Sequence, residues 1–216
     1  TWNGEKDTIM TPIDSIKYYK YFLQAGLMSV DVTTGNILAY VGGINFKYFK
    51  YDHVIKGKRQ VGSTFKPFLY TLAMQEGEFT PCSKVPNIPV SFNLDDGTVW
   101  TPKNADDIRE GQMVTLKWAL ANSVNYISAY LIKRYSPSAV VSIVRKMGIT
   151  SPIEPVYSIC LGTPDLSLYE MVGAYNCFAN KGQYVEPSYI LRIEDRYGHV
   201  LEHFYPKRNE VISEET

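Results

Sequence analysis

A mixed α+β domain is predicted by three features of the sequence. Two β-rich runs lie near the N-terminus, a series of segments with helical apolar spacing follows, and a second pair of β-rich runs closes the chain. With 216 residues, 45% of them hydrophobic, the chain can support one well-cored domain. Its 22 basic and 22 acidic residues cancel to a net charge of +0, which leaves no overall attraction for nucleic acid or an anionic membrane. Any charge-driven chemistry must be local. No run approaches the roughly 18 apolar residues of a membrane-spanning helix. The chain opens on Thr1 with neither an initiator Met nor a signal-peptide pattern, so a piece excised from a longer protein is expected.

Residues 1–25 read as a linker and lead-in helix. Thr11-Pro12 punctuates them, and Asp14 is placed to cap a short helix over residues 16–24 that ends near Gly26. Residues 27–32 and 36–41 are β-rich and flank the turn signal Thr33-Thr34-Gly35, a hairpin pattern. In residues 46–59, Lys47, Lys50, Lys56, Lys58 and Arg59 interleave with Phe46, Tyr48, Phe49 and Tyr51. That pattern suits stacking on bases, a membrane surface or an exposed loop, and the neutral charge balance speaks against nucleic acid. Apolar spacing through Phe65, Phe68, Leu69, Leu72 and Ala73 predicts a helix over 65–75 that stops at Gly77. Residues 80–112 are rich in Pro, Asn, Asp and Gly and read as a long irregular excursion with one short strand at 90–92. Helices are predicted over 115–121, 126–135 and 137–147, the last ended by Gly148. A further helix is predicted over 166–180, with Ser167 as cap, Glu170 three residues on, and Gly182 beyond its end. Residues 189–195 and 200–205 around Tyr197-Gly198 form the closing hairpin.

Cys82, Cys160 and Cys177 are odd in number, widely spaced and free of any Cys-x-x-Cys, which argues against both zinc and a disulfide framework. His199 and His203 flank Glu202 without the order of a zinc-protease helix, and no metal site is expected.

The chemistry centres on Ser63-Thr64-Phe65-Lys66. On a helix, this spacing puts hydroxyl and amine on one face, about 5–6 Å apart at Cβ. Serine is a weak nucleophile until a neighbouring base takes its proton, and a desolvated lysine can be that base. With 15 Ser and 15 Lys in the chain, about one such spacing arises by chance, so the setting has to carry the weight. Gly62 permits a tight turn into the helix. Pro67 lacks the N–H that would bond back to the Ser63 carbonyl, so Ser63 belongs at the helix start, where the dipole favours developing negative charge. Ser123-Val124-Asn125 lies between two predicted helices, where a hydroxyl can shuttle protons and an amide can hold a substrate carbonyl. Ser91-Phe92-Asn93 repeats the spacing but sits in the excursion, and its residues read as turn or edge positions.

Together these segments resemble the transpeptidase domain of penicillin-binding proteins, whose Ser-x-x-Lys and Ser-x-Asn motifs precede a Lys-Thr-Gly. Residues 60–70 are similar to the active-serine segment of the bifunctional, class A members, and 27–43 to their opening strand pair. Residues 115–125 resemble the segment of the second motif, and Leu161-Gly162-Thr163 with 170–182 the helix beyond it. The resemblance spans nearly all of residues 25–205, and 26–216 is expected to be a partial penicillin-binding transpeptidase or serine β-lactamase-like fold.

The resemblance implies a peptidoglycan D,D-transpeptidase that binds D-Ala-D-Ala stem peptides and β-lactams, without metal or organic cofactor. Ser63 would be the nucleophile, Lys66 its base, Ser123 a proton relay and Asn125 the holder of the substrate amide. It also implies a parent on the extracytoplasmic face of a bacterial inner membrane, with an N-terminal anchor and a glycosyltransferase domain. No Lys-Thr-Gly occurs in the 216 residues. A chain without that strand and its oxyanion donor is expected to be weakly active or inactive, since one such donor is worth about 2.7–4 kcal/mol. The alternatives are a β-lactamase or β-lactam sensor of the same fold, or a non-catalytic cell-wall-binding module. A deacylating Glu would favour the lactamase, but Glu154 and Glu170 read as surface and helix-start residues.

Overall fold

The computed structural model describes every residue except 1–3, 5, 48 and 95. Tyr48, one aromatic of the basic stretch, therefore lies outside the described residues. The first helix is α1, Pro12–Lys20, four residues earlier than the spacing predicts. Thr11, not Asp14, is its cap: Thr11 Oγ1 accepts from the Asp14 amide at 3.2 Å, and Pro12 suits the first turn. None of its residues is buried.

Strands β1, Leu27–Val30, and β2, Ile37–Val41, form the expected antiparallel hairpin, with Leu27 opposite Val41 and a bulge after Ser29. Asp31 shapes its turn, its Oδ1 accepting from the Thr33 amide at 3.1 Å and from the Thr34 amide and hydroxyl at 2.7 Å each. Most of the basic, aromatic stretch is an irregular loop, but it ends in an unpredicted strand, β3, Lys58–Gln60. A 3-10 turn, Gly62–Phe65, then runs straight into α2, Lys66–Gln75. The excursion is more ordered than its composition suggests. It contains β4, Lys84–Pro86, then β5, Phe92–Asn93, paired with β6, Val99–Trp100. Ser91 sits at the edge of that pair, its hydroxyl 2.7 Å from Thr101 Oγ1.

Strand β7, Met113–Thr115, pairs with β4 and delivers the chain to α3, Leu116–Ala121, which Thr115 caps. Helices α4, Asn125–Tyr135, and α5, Pro137–Lys146, follow within two residues of the predicted limits. A second 3-10 turn, Tyr157–Leu161, leads to β8, Asp165–Ser167, antiparallel to β3. Leu166 and Ser167, expected in the next helix, are thus strand. Helix α6, Leu168–Ala179, starts after them on a capping box in which Ser167 and Glu170 exchange bonds. Strand β9, Gln183–Val185, pairs with β12, Arg208–Glu210, a second unpredicted pairing. Between them β10, Arg192–Glu194, and β11, Val200–His203, form the closing hairpin.

The core is helical. Phe65, Phe68, Leu69, Ala73, Ile127, Leu131, Ile132, Val140, Val144 and Met147 are fully buried where α2, α4 and α5 meet. Each fully buried aliphatic or aromatic side chain contributes about 1.5–3 kcal/mol. Helix α6 packs on β1, and Asn176 Nδ2 donates to the Val32 carbonyl at 3.1 Å. Cys82 is exposed, and Cys160 and Cys177 are buried free thiols. No cluster of three or more metal-ligating side chains occurs among the described residues.

Candidate active site

Ser63 lies in the 3-10 turn and is solvent-exposed. Two backbone bonds moor its turn: the Val61 amide donates to the Pro164 carbonyl at 3.2 Å and the Gly62 amide to the Gly162 carbonyl at 2.9 Å. Gly62 takes a left-handed φ of 57°, which glycine adopts without the Cβ penalty. Gly162 faces it closely: a Cβ there would stand 1.7 Å from the Gly62 oxygen. The serine is thus on a turn clamped from behind, with Phe65 fully buried beneath it.

Lys66, the first residue of α2, is only 1% exposed. Its Nζ donates to the Ser123 carbonyl at 2.6 Å, to Ser123 Oγ at 3.0 Å and to Asn125 Oδ1 at 2.7 Å. Burial pushes its amine down to about 8, and no carboxylate pairs with it among the described residues. The buried Cys160 thiol nearby is held protonated, pushed up to about 12 by burial. The structure therefore brings together Lys66, Ser123 and Asn125. Ser63 stands one turn before Lys66, and among the described residues its hydroxyl makes no hydrogen bond to Lys66 or to any other group.

Ser123 occupies the sharp connection between α3 and α4 at φ 53°. A non-glycine residue there costs roughly 1–3 kcal/mol. In that conformation it presents both its carbonyl and its hydroxyl to Lys66. Asn125 opens α4 and sends Nδ2 to the Lys103 carbonyl at 2.7 Å. Helix α4 has no cap from its own preceding residue. Instead Asn104 Oδ1, in the excursion, accepts from the amides of Asn125 at 2.9 Å and Tyr126 at 3.1 Å. Asn104 Nδ2 in turn donates to Oδ1 of the fully buried Asn87 at 3.1 Å. The sequence reading misses Asn104 and Asn87, because helix caps are sought beside the helix and this one lies 21 residues upstream.

Glu154 is exposed and Glu170 starts a helix, as the sequence predicts; what the sequence does not show is that Glu170 is buried there. Its carboxylate accepts from the amides and hydroxyls of Thr150, Ser151 and Ser167, six donors at 2.6–3.1 Å. Burial opposes its ionised form, but the bonds from Ser151 and Ser167 prevail and hold it at about 2. A carboxylate so saturated is a poor base.

Residues 25–216 match the family model described as penicillin binding protein transpeptidase domain, and residues 1–23 the one described as penicillin-binding protein middle domain. Penicillin-binding protein 1A of Aquifex aeolicus is 34% identical over 194 residues, covering 88% of this chain and 26% of that protein. Penicillin-binding protein 1A of Pseudomonas aeruginosa is 37% identical over 188 residues, with 86% and 22% covered. The chain spans about a quarter of the length of these curated relatives. The crystal structure of penicillin-binding protein 1A from Haemophilus influenzae matches with a TM-score of 0.78 at 28% identity, covering 86% of this chain and 28% of that one. Penicillin binding protein 3 from Mycobacterium tuberculosis, complexed with aztreonam, shares the fold at a TM-score of 0.71 and 19% identity, covering 88% and 48%.

Proposed function

The chain belongs to the penicillin-binding protein transpeptidase family, in its class A, 1A-like branch, and from that premise we propose that it carries the acylating half of a peptidoglycan D,D-transpeptidase site. The observation that supports this reading most is the Lys66 amine: buried, unpaired with any carboxylate among the described residues, bonded to Ser123 and Asn125, and one turn behind an exposed Ser63. An amine brought down to about 8 holds a useful fraction of neutral base near pH 7.

In this reading the neutral Lys66 takes the Ser63 proton as Oγ attacks the penultimate D-Ala carbonyl of a stem peptide. The terminal D-Ala leaves, protonated through Ser123, whose hydroxyl touches the amine. An amine of a second stem then takes the acyl group and frees Ser63. The Asn125 amide has one N–H committed to the Lys103 carbonyl, and its second can hold the substrate carbonyl. β-Lactams acylate Ser63 as substrate mimics. The saturated Glu170 supplies no deacylating base, which favours a lasting acyl-enzyme over a β-lactamase. In this proposal the whole protein works on the extracytoplasmic face of a bacterial inner membrane and also carries a glycosyltransferase; no described helix here is long and apolar enough to cross a membrane.

Mass spectrometry of the full-length protein after penicillin treatment tests the reading. One stable adduct on the peptide containing Ser63, lost in Ser63→Ala, is expected. An unmodified wild-type protein, or rapid release of hydrolysed drug, overturns it. Because no Lys-Thr-Gly lies within the 216 residues, the 216-residue polypeptide should label far more slowly than the full-length protein.

A further inference from the structure

We infer that Asn104 is a positioning residue for the acylating site, setting the orientation of Asn125, and through it the position of Lys66, from within the Pro-rich excursion. The inference rests on the transpeptidase reading for its consequence in rate, but its geometry stands alone.

Three side-chain amides are involved, and backbone groups that can only donate or only accept decide which way each one faces. Asn87 Nδ2 donates to the carbonyls of Ile108 at 3.2 Å and Arg109 at 3.0 Å. A carbonyl cannot donate, so Asn87 must turn its oxygen toward Asn104. Two further bonds, from the Asn87 amide to the Gln112 carbonyl and from the Gly111 amide to the Asn87 carbonyl, hold the Asn87 backbone in the same loop. Asn104 therefore spends Nδ2 on Asn87 and presents Oδ1 to the amides of Asn125 and Tyr126, which can only donate. At Asn125 the Lys103 carbonyl takes Nδ2, which leaves Oδ1 for Lys66.

Residues 103 and 104 thus grip Asn125 from two sides, one through its side chain and one through its main chain. The excursion is a strut whose rigid end is the buried Asn87 and whose working end is the start of α4. Without the Asn104 oxygen, two amides at a helix start lose their acceptor, and Asn125 is free to swing away from the Lys66 amine. Displacements of about 1 Å at a reacting centre cost on the order of 10²-fold in rate.

The test uses the full-length protein and two substitutions of Asn104, with Asn125→Ala as a background and Lys66→Arg for assignment. Asn104→Ala should lower the acylation rate constant of folded protein by about 100-fold, and in an Asn125→Ala background it should cause no further loss, because it acts through Asn125. Asn104→Asp keeps the acceptor for both amides and suits the helix dipole, so it should fold. It cannot donate to Asn87, and its charge lies near Lys66, where Cys160 is the other titratable neighbour. Asn104→Asp should therefore raise the Lys66 titration midpoint, read by NMR in protein labelled with [ε-13C]lysine and assigned with Lys66→Arg. Wild-type acylation rates in Asn104→Ala, or an unmoved Lys66 titration in Asn104→Asp, overturn the inference. The NMR arm needs no acylation, so a wild-type protein that forms no β-lactam adduct defeats the transpeptidase reading while the positioning role is still decided.

Discussion

Two charged groups are buried among the described residues, Lys66 at the start of α2 and Glu170 at the start of α6, and the molecule treats them in opposite ways. Glu170 is surrounded by six donors from three residues, all favouring its ionised form. Lys66 meets only neutral acceptors, and burial prevails over their support of its charge. A buried charge with matched hydrogen bonds becomes structural, whereas one left short of compensation keeps a proton that is easily removed. The contrast sets a carboxylate held fast by the fold against an amine that, in the proposed function, is left free to react.

Lys66→Ala should break the reactive side of this contrast, with the largest effect. Loss of a general base lowers the rate of Ser63 acylation by about a thousandfold, measured as the second-order rate constant with a fluorescent penicillin. In the wild type that rate should climb about tenfold per pH unit in the acid range and level off above a midpoint of about 8, the Lys66 value. A flat profile from pH 6 to 9 would remove Lys66 from the role of base.

Glu170→Ala attacks the other side and should cost about 3 kcal/mol in thermal or urea unfolding, because six donors lose their acceptor inside the fold. The pH dependence follows from its folded value of about 2 against 4.5 unfolded. Between those values the unfolded chain binds more protons, so stability is complete above about 4.5 and falls as pH drops toward 2. Lys66 obeys the same sign in another window. Its folded value of about 8 lies below 10.5, so the stability that its neutral form would supply is gained only as pH rises from 8 toward 10.5 and is missing at neutrality. If Glu170→Ala unfolds at the wild-type urea midpoint, the structural half of the comparison is wrong.

How much of this could be read in advance depends on the range of the interaction. The helices 116–121, 125–135 and 137–146 are legible because apolar spacing and their breakers are local, and so is the capping box of Ser167 and Glu170. The pairing of Lys58–Gln60 with Asp165–Ser167 is not, since three-residue strands show no periodicity and their partners lie more than a hundred residues apart. That pairing nonetheless helps moor the Ser63 turn. Ser63, Lys66, Ser123 and Asn125 stand out through their motifs, but the company Lys66 keeps does not. The helix spacing suggests that it faces Ser63, whereas the fold turns its amine to Ser123 and Asn125. Asn104 carries no motif at all; its importance lies in a contact across 21 residues.

The smallest effect should come from a pair that imitates the Glu170 arrangement at the surface. Glu78 accepts from Arg134 Nε at 2.6 Å, from Arg134 Nη2 at 3.0 Å and from the Tyr135 hydroxyl at 2.8 Å. The Arg134 bond, then that of Tyr135, lowers its carboxyl below the usual range. By its several short hydrogen bonds alone it resembles the buried carboxylate. Yet Arg134 and Glu78 side chains are 47% and 44% exposed, so water competes for every bond and salt screens the pair. Arg134→Ala should therefore shift the melting temperature by only about 1–2 °C, and the shift should shrink further in 0.5 M salt. A loss as large as that of Glu170→Ala would mean that hydrogen-bond number, rather than the exclusion of water around it, decides whether a carboxylate holds this fold together.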